Sequence, residues 1–311
     1  MRIGVIGAGG IGAYYGARLA SAGEDVVFVA RGANLQALRT GGLRVISPLG
    51  DLSLPHVQAT DATGPVGPVD LVLFCVKTYG TSDAIALLPP LVGPATAVIS
   101  LQNGLDAADH LAAAVGREHV LGGLTGISAQ LVAPGDVRHS SAFAHVTLGE
   151  LDAPSSPRAE AIVATFRAAG VDATVSDDIQ RDLWLKFMFI AVHGPLTALT
   201  RQPLGAIRDF PPTWQLYQAA VREVDAVARA RGVRLPPDAA DSLIANVASI
   251  APGMRSSMAA DFEHGRRLEN EDFSGTVVRL GEAAGVPTPI HRVLYALLGP
   301  ADRSAATPAQ Y

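Results

Sequence analysis

A glycine-rich loop near the N-terminus is the feature that most restricts how this chain can fold. It stands between the apolar run Arg2–Ile6 and a helical pattern that ends at Gly23. The loop consists of Gly7, Ala8, Gly9, Gly10, Ile11 and Gly12. Gly7 permits a tight turn, Gly9 permits a pyrophosphate to approach the backbone, and Gly12 permits close packing of helix and strand. Because the flanking patterns are a strand and a helix, the motif predicts a dinucleotide-binding site; a purely structural turn is the alternative.

Short apolar strands alternate with helical segments through the first half of the chain. We predict strands over Arg2–Ile6, Asp25–Ala30, Asp70–Val76, Ala97–Leu101 and Asp172–Val175. Between them we predict helices over Ile11–Ala22, Asn34–Thr40, Ser82–Leu88, Asp106–Ala114 and Ser155–Ala169, with short strand-like pieces between Val120 and Glu150. This alternation is typical of a mostly parallel, doubly wound α/β sheet. We therefore expect an N-terminal Rossmann domain over residues 1–176.

The second half of the chain shows helical patterns only. The predicted helices are Asp177–Val192, Pro211–Arg231, Pro237–Ile250, Ser256–Arg266 and Leu268–Ala284. These segments predict an all-α domain over residues 177–301, and the small, polar residues 302–311 are expected to form a loose tail. The exposed part of this domain could host a homodimer interface, although no seam is visible in the sequence.

Composition excludes several classes of partner. The net charge of -5 disfavours general binding to nucleic acid or to an anionic membrane. No uninterrupted apolar run reaches the roughly 18 residues of a membrane helix. The histidines show no metal-ligand spacing, and the single cysteine, Cys75, lies in an apolar run where a core position is expected. We interpret the chain as a cytoplasmic protein.

The end of the second predicted strand indicates which dinucleotide is bound. An enzyme that uses NAD usually has an acidic residue there, whereas this strand is followed by Arg31. A guanidinium can pair with a 2′-phosphate, so the sequence favours NADPH over NAD; a solvated surface arginine just before a helix is the alternative. Lys77 and Asn103 follow two later strands, where Lys77 would neutralise phosphate and Asn103 would bond the nicotinamide ribose. Each could equally be an ordinary surface or turn residue.

Lys186 is the leading candidate for a proton donor. It lies in the apolar segment Leu183–Ile190, where a lysine is costly unless it faces a cleft. Partial burial would lower its pKa toward the working pH of an acid catalyst; the alternative is a lysine whose head reaches water. Glu269 is the carboxylate proposed to orient it, although a solvated acid on a helix face is the commoner case. His193 is the one histidine of interest, although a helix-end position is the plainer interpretation.

Taken together, these residues resemble the ketopantoate reductase (2-dehydropantoate 2-reductase) family over residues 1–298. The matching features are Gly7–Gly12, Arg31, Val76–Thr78, Asn103–Gly104, Leu183-Trp184 with Lys186, Pro195–Ala198, Ser256–Met258, Leu268-Glu269 and Gly285–Pro289. The resemblance implies an NADPH-dependent oxidoreductase that reduces the ketone of a 2-oxo acid. It implies that Lys186 is the general acid, that Glu269 lies near cofactor and substrate, and that Ser257 contacts the substrate together with Asn103.

Three positions depart from the family pattern. Asparagines that hold the substrate in typical members are replaced here by Ile190, Gly194 and Leu204. Each lost hydrogen bond removes about 0.5–1.5 kcal/mol of binding. Three hypotheses remain: a ketopantoate reductase of pantothenate biosynthesis, which is the default reaction of the family; a relative that acts on a more apolar 2-oxo acid or ketone; and an NADPH-binding protein without turnover.

The spacing of Ser257 and Glu269 raises a geometric question. On one straight helix they would lie about 18 Å apart, since each residue rises ~1.5 Å. Both can serve one site only if the helix breaks or the substrate spans it, and Gly265 is the expected break.

Overall fold

The computed structural model describes the backbone of residues 1–306, and it divides into two compact units. The first unit comprises Met1–Gln102 and Asp106–Gln180. The second comprises Asn103–Leu105 and the chain from Arg181 onward. The division therefore lies a few residues beyond the boundary expected at Ser176, and the short segment that contains Asn103 joins the second unit.

Twelve strands form two sheets in the first unit. They are β1 (Arg2–Ile6), β2 (Asp25–Val29), β3 (Leu43–Ile46), β4 (Leu52–Leu54), β5 (Gln58–Thr60), β6 (Leu71–Phe74), β7 (Ala97–Ser100), β8 (Val120–Gly126), β9 (Ala129–Ala133), β10 (Asp136–His139), β11 (His145–Glu150) and β12 (Asp172–Val175). The larger sheet has eight strands in the order β12-β11-β8-β7-β6-β1-β2-β5. All its neighbours are parallel except β8 and β11. This confirms the predicted doubly wound, mostly parallel sheet.

Five helices accompany these sheets: α1 (Gly10–Ser21), α2 (Gly32–Gly41), α3 (Thr81–Ile85), α4 (Ala107–Val115) and α5 (Pro157–Ala168). The central strands are mostly apolar, as is typical of parallel strands that are buried on both faces. Every residue of β6 and β7 is buried, for example. The strand order reverses between β1 and β6, and in folds of this kind ligands lie beyond the carboxyl ends of the strands at that point.

The smaller sheet was not predicted from the sequence. Its order is β4-β3-β10-β9, and it joins residues 43–54 to residues 129–139. The sequence predicts only strand-like pieces in the second of these segments, because strands of three or four residues are too short for a legible alternation.

The second unit is helical, as expected. Its elements are most of α6 (Ile179–Thr200), then α7 (Leu204–Asp209), α8 (Pro211–Ala230), α9 (Ala239–Ser249), α10 (Ser257–Glu263), a π turn (Glu271–Gly275), α11 (Thr276–Ala284) and α12 (Pro289–Ala306). The predicted end of α6 at Val192 is wrong, because the helix continues through Pro195. Residues 302–306 belong to α12 rather than to a loose tail, and 307–311 lie outside the described residues.

Helix α6 is long and apolar enough to cross a membrane by length and composition alone. However, 67% of its most apolar window is buried inside the protein. Val192, Ala198 and Met188 are fully covered in the core of the second unit. A core helix of a globular domain has this same composition, so the length of α6 gives no separate support for a membrane location.

Candidate active site

The glycine loop lies between β1 and α1, and most of its glycines are required by packing. Gly7 has φ +96°, and a Cβ there would come within 2.8 Å of the backbone nitrogen of Val76. A Cβ on Gly12 would overlap the carbonyl oxygen of Gly7. A Cβ on Gly10 would overlap the carbonyl oxygen of Ala129 in β9, so the unpredicted sheet also requires a glycine here.

Gly9 is the exception, because no atom of the described residues lies within 4 Å of a Cβ placed on it. It is the N-cap of α1, where the first backbone N–H groups of the helix have no partner within the helix. Open space beside such N–H groups is what a bound pyrophosphate needs. The loop therefore fits the phosphates of a dinucleotide.

The side chain of Asn34 holds the loop in place, a role that was not predicted from the sequence. Its side-chain amide donates to the carbonyl oxygen of Ala8 at 2.8 Å, and its amide oxygen accepts from the backbone N–H of Gly135 at 2.9 Å. The side chain thus links the phosphate loop to the turn between β9 and β10. Nothing in the sequence marks it, since an asparagine near the start of a helix has many ordinary uses.

The residues expected around the cofactor follow strand ends of the large sheet. Arg31 is exposed at the N-cap of α2, just after β2. Lys77 is half-buried and follows β6. Gln102 donates from its amide to the carbonyl oxygen of Val76 at 3.0 Å, which ties the ends of β6 and β7 together. Asn103, half-buried, belongs to the second unit.

Cys75 follows β6, and burial raises the pKa of its thiol to about 12. A thiol with so high a pKa stays protonated at neutral pH, which is the state of an inert core cysteine. Among residues 1–306, no group of three histidine, cysteine or acidic side chains is arranged to hold a metal ion.

The amine of Lys186 and the carboxylate of Glu269 lie within electrostatic range of each other in the second unit. Lys186 is half-buried on α6 between apolar neighbours, and Glu269 is 5% exposed just before the π turn. Burial lowers the pKa of Lys186 to about 8, and the Glu269 carboxylate opposes that shift. An ammonium group with such a pKa can give up its proton near neutral pH, and the negative charge of Glu269 favours the charged form.

His193 lies inside α6 and not at its end, as the sequence had suggested. Its ring is 2% exposed and stacks on Phe189 with centroids 4.9 Å apart. Burial lowers its pKa to about 4, so the ring is neutral at physiological pH. Both ring nitrogens are covered, and neither has a hydrogen-bond partner in the part of the chain that the structure describes.

Ser257 is exposed at the first residue of α10, whereas its neighbour Ser256 is the residue tied to α6. Ser256 and Thr197 share a hydrogen bond of 2.6 Å between their hydroxyl oxygens. Helix α10 ends at Glu263, and Gly265 follows with φ +63°. The chain therefore does not continue as one straight helix from Ser257 to Glu269, and the break expected at Gly265 is present.

The three departures from the family pattern have different surroundings. Ile190 is half-buried one turn beyond Lys186 on α6. Gly194 is buried beside Phe273: a Cβ there would lie 3.2 Å from two carbons of that ring. Leu204 has no exposed surface and packs in the helical core. Only Ile190 therefore retains a surface that a ligand could touch.

Comparison with known proteins identifies the family of the chain. The family model described as ketopantoate reductase PanE/ApbA matches residues 3–153, and the model of the C-terminal part of that enzyme matches residues 178–302. The chain belongs to the ketopantoate reductase family. It is 34% identical over 297 residues to the 2-dehydropantoate 2-reductase of Archaeoglobus fulgidus, which covers 96% of each chain. It is 30% identical over 299 residues to an uncharacterized oxidoreductase of Bacillus subtilis, over 96% of this chain and 98% of that one.

Solved structures of the family share the fold. The crystal structure of 2-dehydropantoate 2-reductase from Geobacter metallireducens matches with a TM-score of 0.90 and 35% identity, over 97% of this chain and 100% of that one. A ketopantoate reductase from Ralstonia eutropha matches with the same TM-score at 33% identity, over 99% of this chain and 100% of that one. The protein is thus an oxidoreductase of the ketopantoate reductase family, and a nicotinamide cofactor accords with its glycine loop.

Proposed function

We propose that the protein uses NADPH to reduce the ketone of a 2-oxo acid to the corresponding 2-hydroxy acid, with Lys186 as the general acid. The single observation that carries the proposal is the setting of Lys186: an amine among apolar side chains whose pKa burial lowers to about 8, within electrostatic range of the Glu269 carboxylate. An ordinary surface lysine would keep the pKa of a solvated amine and stay protonated throughout the neutral range.

The proposed chemistry divides between the two units. The glycine loop Gly7–Gly12 of the first unit would hold a reduced nicotinamide cofactor, which would supply the hydride for the carbonyl carbon. The carbonyl oxygen takes a proton from the Lys186 ammonium, so that the C=O bond becomes C–OH and the amine is left neutral. Glu269 favours the charged form of Lys186, and uptake of a proton from water restores it.

The choice of NADPH rests on Arg31. No carboxylate stands at the end of β2 to accept the ribose 2′-hydroxyl, and the exposed guanidinium is available for a 2′-phosphate. Gly7–Gly12 would hold the pyrophosphate, and Lys77 and Asn103 would contact the rest of the cofactor. Ser257 and Asn103 would contact the substrate.

Ketopantoate is the first substrate to test, because several similar proteins are named 2-dehydropantoate 2-reductase. The product would then be pantoate, the reaction that serves pantothenate biosynthesis, and a cytoplasmic location forms part of the proposal. The alternative is a different, more apolar 2-oxo acid, which the burial of Gly194 beside Phe273 favours.

The test is the oxidation of NADPH in the presence of ketopantoate and of a panel of 2-oxo acids. We expect turnover with at least one acid and a loss of at least about 100-fold in Lys186→Ala, the size of a general-acid contribution. The control is NADPH affinity, which the variant should retain. Turnover that survives in Lys186→Ala would overturn the assignment of the acid.

A further inference from the structure

The surface of α6 beyond Lys186 determines what a substrate would meet there. Ile190 follows Lys186 by one helical turn and lies on the same face, about 6 Å along the axis. Ile190 and the adjacent Phe189 are each half-buried, so part of each apolar side chain is accessible. A ligand whose ketone meets Lys186 and whose substituent runs toward Ile190 would therefore lie over apolar surface.

One turn further along this face, at Gly194, there is no room for a polar side chain. Gly194 has no side chain, and the ring of Phe273, itself 3% exposed, occupies the adjoining space at 3.2 Å from a Cβ placed there. The sulfur of Met258 lies 3.7 Å from the same point. The Phe273 ring of the π turn thus packs directly against position 194. An amide side chain at this position would have to displace that ring.

His193 supplies no accessible polar group on this part of the α6 surface. Its two ring nitrogens are covered, and its ring is uncharged and stacked on Phe189. A hydroxyl group placed over Phe189 and Ile190 would lose water without gaining a hydrogen bond from this histidine. Burial of such a group without a partner is unfavourable.

From these contacts we infer that the substrate is a 2-oxo acid whose substituent beyond the ketone is apolar and carries no hydroxyl group. Ile190 selects it directly, and the packing of Phe273 against Gly194 keeps the adjoining surface free of polar groups. This inference rests on the proposed function. Ketopantoate, which carries a terminal hydroxyl, is then a poorer substrate than its deoxy analogue 3,3-dimethyl-2-oxobutanoate, which has the same branched skeleton.

The two acids form a matched pair for steady-state kinetics. We expect kcat/KM to be about 10- to 100-fold higher for the deoxy acid, since an apolar pocket rejects an added hydroxyl by a factor of that order. Ile190→Asn should reduce this ratio. Ile244→Asn, the same change at a half-buried position of α9, should leave the ratio unchanged. Gly194→Asn combined with Phe273→Ala, which makes room for the amide, should also reduce the ratio.

Binding to the Lys186→Ala protein in the presence of NADPH separates this inference from the proposed function. Calorimetry should show tighter binding of the deoxy acid whether or not the native protein turns over. If ketopantoate is reduced as efficiently as the deoxy acid, or binds as tightly, the substrate class is wrong while the reductase assignment stands. If neither acid is reduced, nor any of the panel, the proposed function fails and the affinity ratio alone decides the preference.

Discussion

The carboxylate of Glu269 opposes the effect of burial on the amine of Lys186 in the helical unit. Burial lowers the pKa of Lys186 to about 8, and Glu269 raises it. Below that pH the amine is charged and can donate a proton; above it the amine is neutral. We therefore expect Glu269 to act as a positioning residue whose charge raises the upper pH limit of the reaction.

The pH dependence of reduction should reveal the pKa of Lys186 and the effect of Glu269 on it. We expect kcat to fall as the pH rises through about 8, because the acid form of Lys186 is lost there. Glu269→Gln removes the charge that favours the ammonium, so the falling limb should move to lower pH. Glu271→Gln provides a matched control, since Glu271 is exposed and bonds to Tyr295. A limb that stays in place in Glu269→Gln would show that the carboxylate does not act on the acid.

Replacement of Lys186 by an apolar residue should raise the stability of the protein while it lowers its activity. The folded state holds this amine at a pKa of about 8 instead of the ordinary 10.5, so the unfolded chain binds more protons between these values. The free energy of unfolding therefore rises with pH across this window, and at neutral pH the buried charge destabilises the fold. Lys186→Met should stabilise the protein at pH 7 by on the order of 2–3 kcal/mol while abolishing reduction.

Urea unfolding at pH 7 and at pH 10 checks this expectation. The difference between Lys186→Met and the native protein should shrink at the higher pH, where the folded native protein already holds a neutral amine. An equal difference at both pH values would mean that packing, and not charge, is the cause.

Much of the first unit could be read from the sequence because its strands are buried on both faces. β1 was predicted at its observed bounds, and β2, β6 and β7 within two residues at either end, since uninterrupted apolar runs such as Leu71–Phe74 are a strong local signal. The small second sheet was missed, because most of its strands are too short for a legible alternation and the β3–β10 pairing that joins its two halves spans more than 80 residues of chain. Pairing at that distance leaves no local pattern.

In the second unit the helix predictions were wrong where tertiary packing overrides a local sequence signal. Pro195 was expected to lie beyond the end of a helix, yet α6 continues past it through the core. Helix α12 was not predicted at all. The Lys186–Glu269 pair was expected from the apolar surroundings of Lys186, but the packing of Phe273 on Gly194 joins residues far apart in sequence and could be seen only in three dimensions.

Two glycines of the phosphate loop should separate cofactor binding from folding. A methyl group on Gly9 meets nothing within 4 Å among the described residues, and its φ of -79° suits any residue. Gly9→Ala should therefore leave the melting temperature unchanged but weaken NADPH binding by at least about tenfold, because the methyl occupies the space for the pyrophosphate. Gly12→Ala should lower the melting temperature, since its Cβ would overlap the carbonyl oxygen of Gly7. Normal NADPH affinity in Gly9→Ala would place the pyrophosphate elsewhere.

Arg31 should distinguish NADPH from NADH. Its guanidinium is exposed after β2, where a charge-assisted hydrogen bond to the 2′-phosphate would contribute about 1.5–3 kcal/mol. Arg31→Ala should raise the dissociation constant for NADPH by roughly 10- to 100-fold and leave that for NADH almost unchanged, as measured by titration of cofactor fluorescence. Arg39→Ala on the same helix is the control, because Arg39 is occupied by the carbonyl oxygen of Ala59 and the carboxylate of Asp61. Equal weakening of both cofactors in Arg31→Ala would mean that this residue does not read the 2′-phosphate.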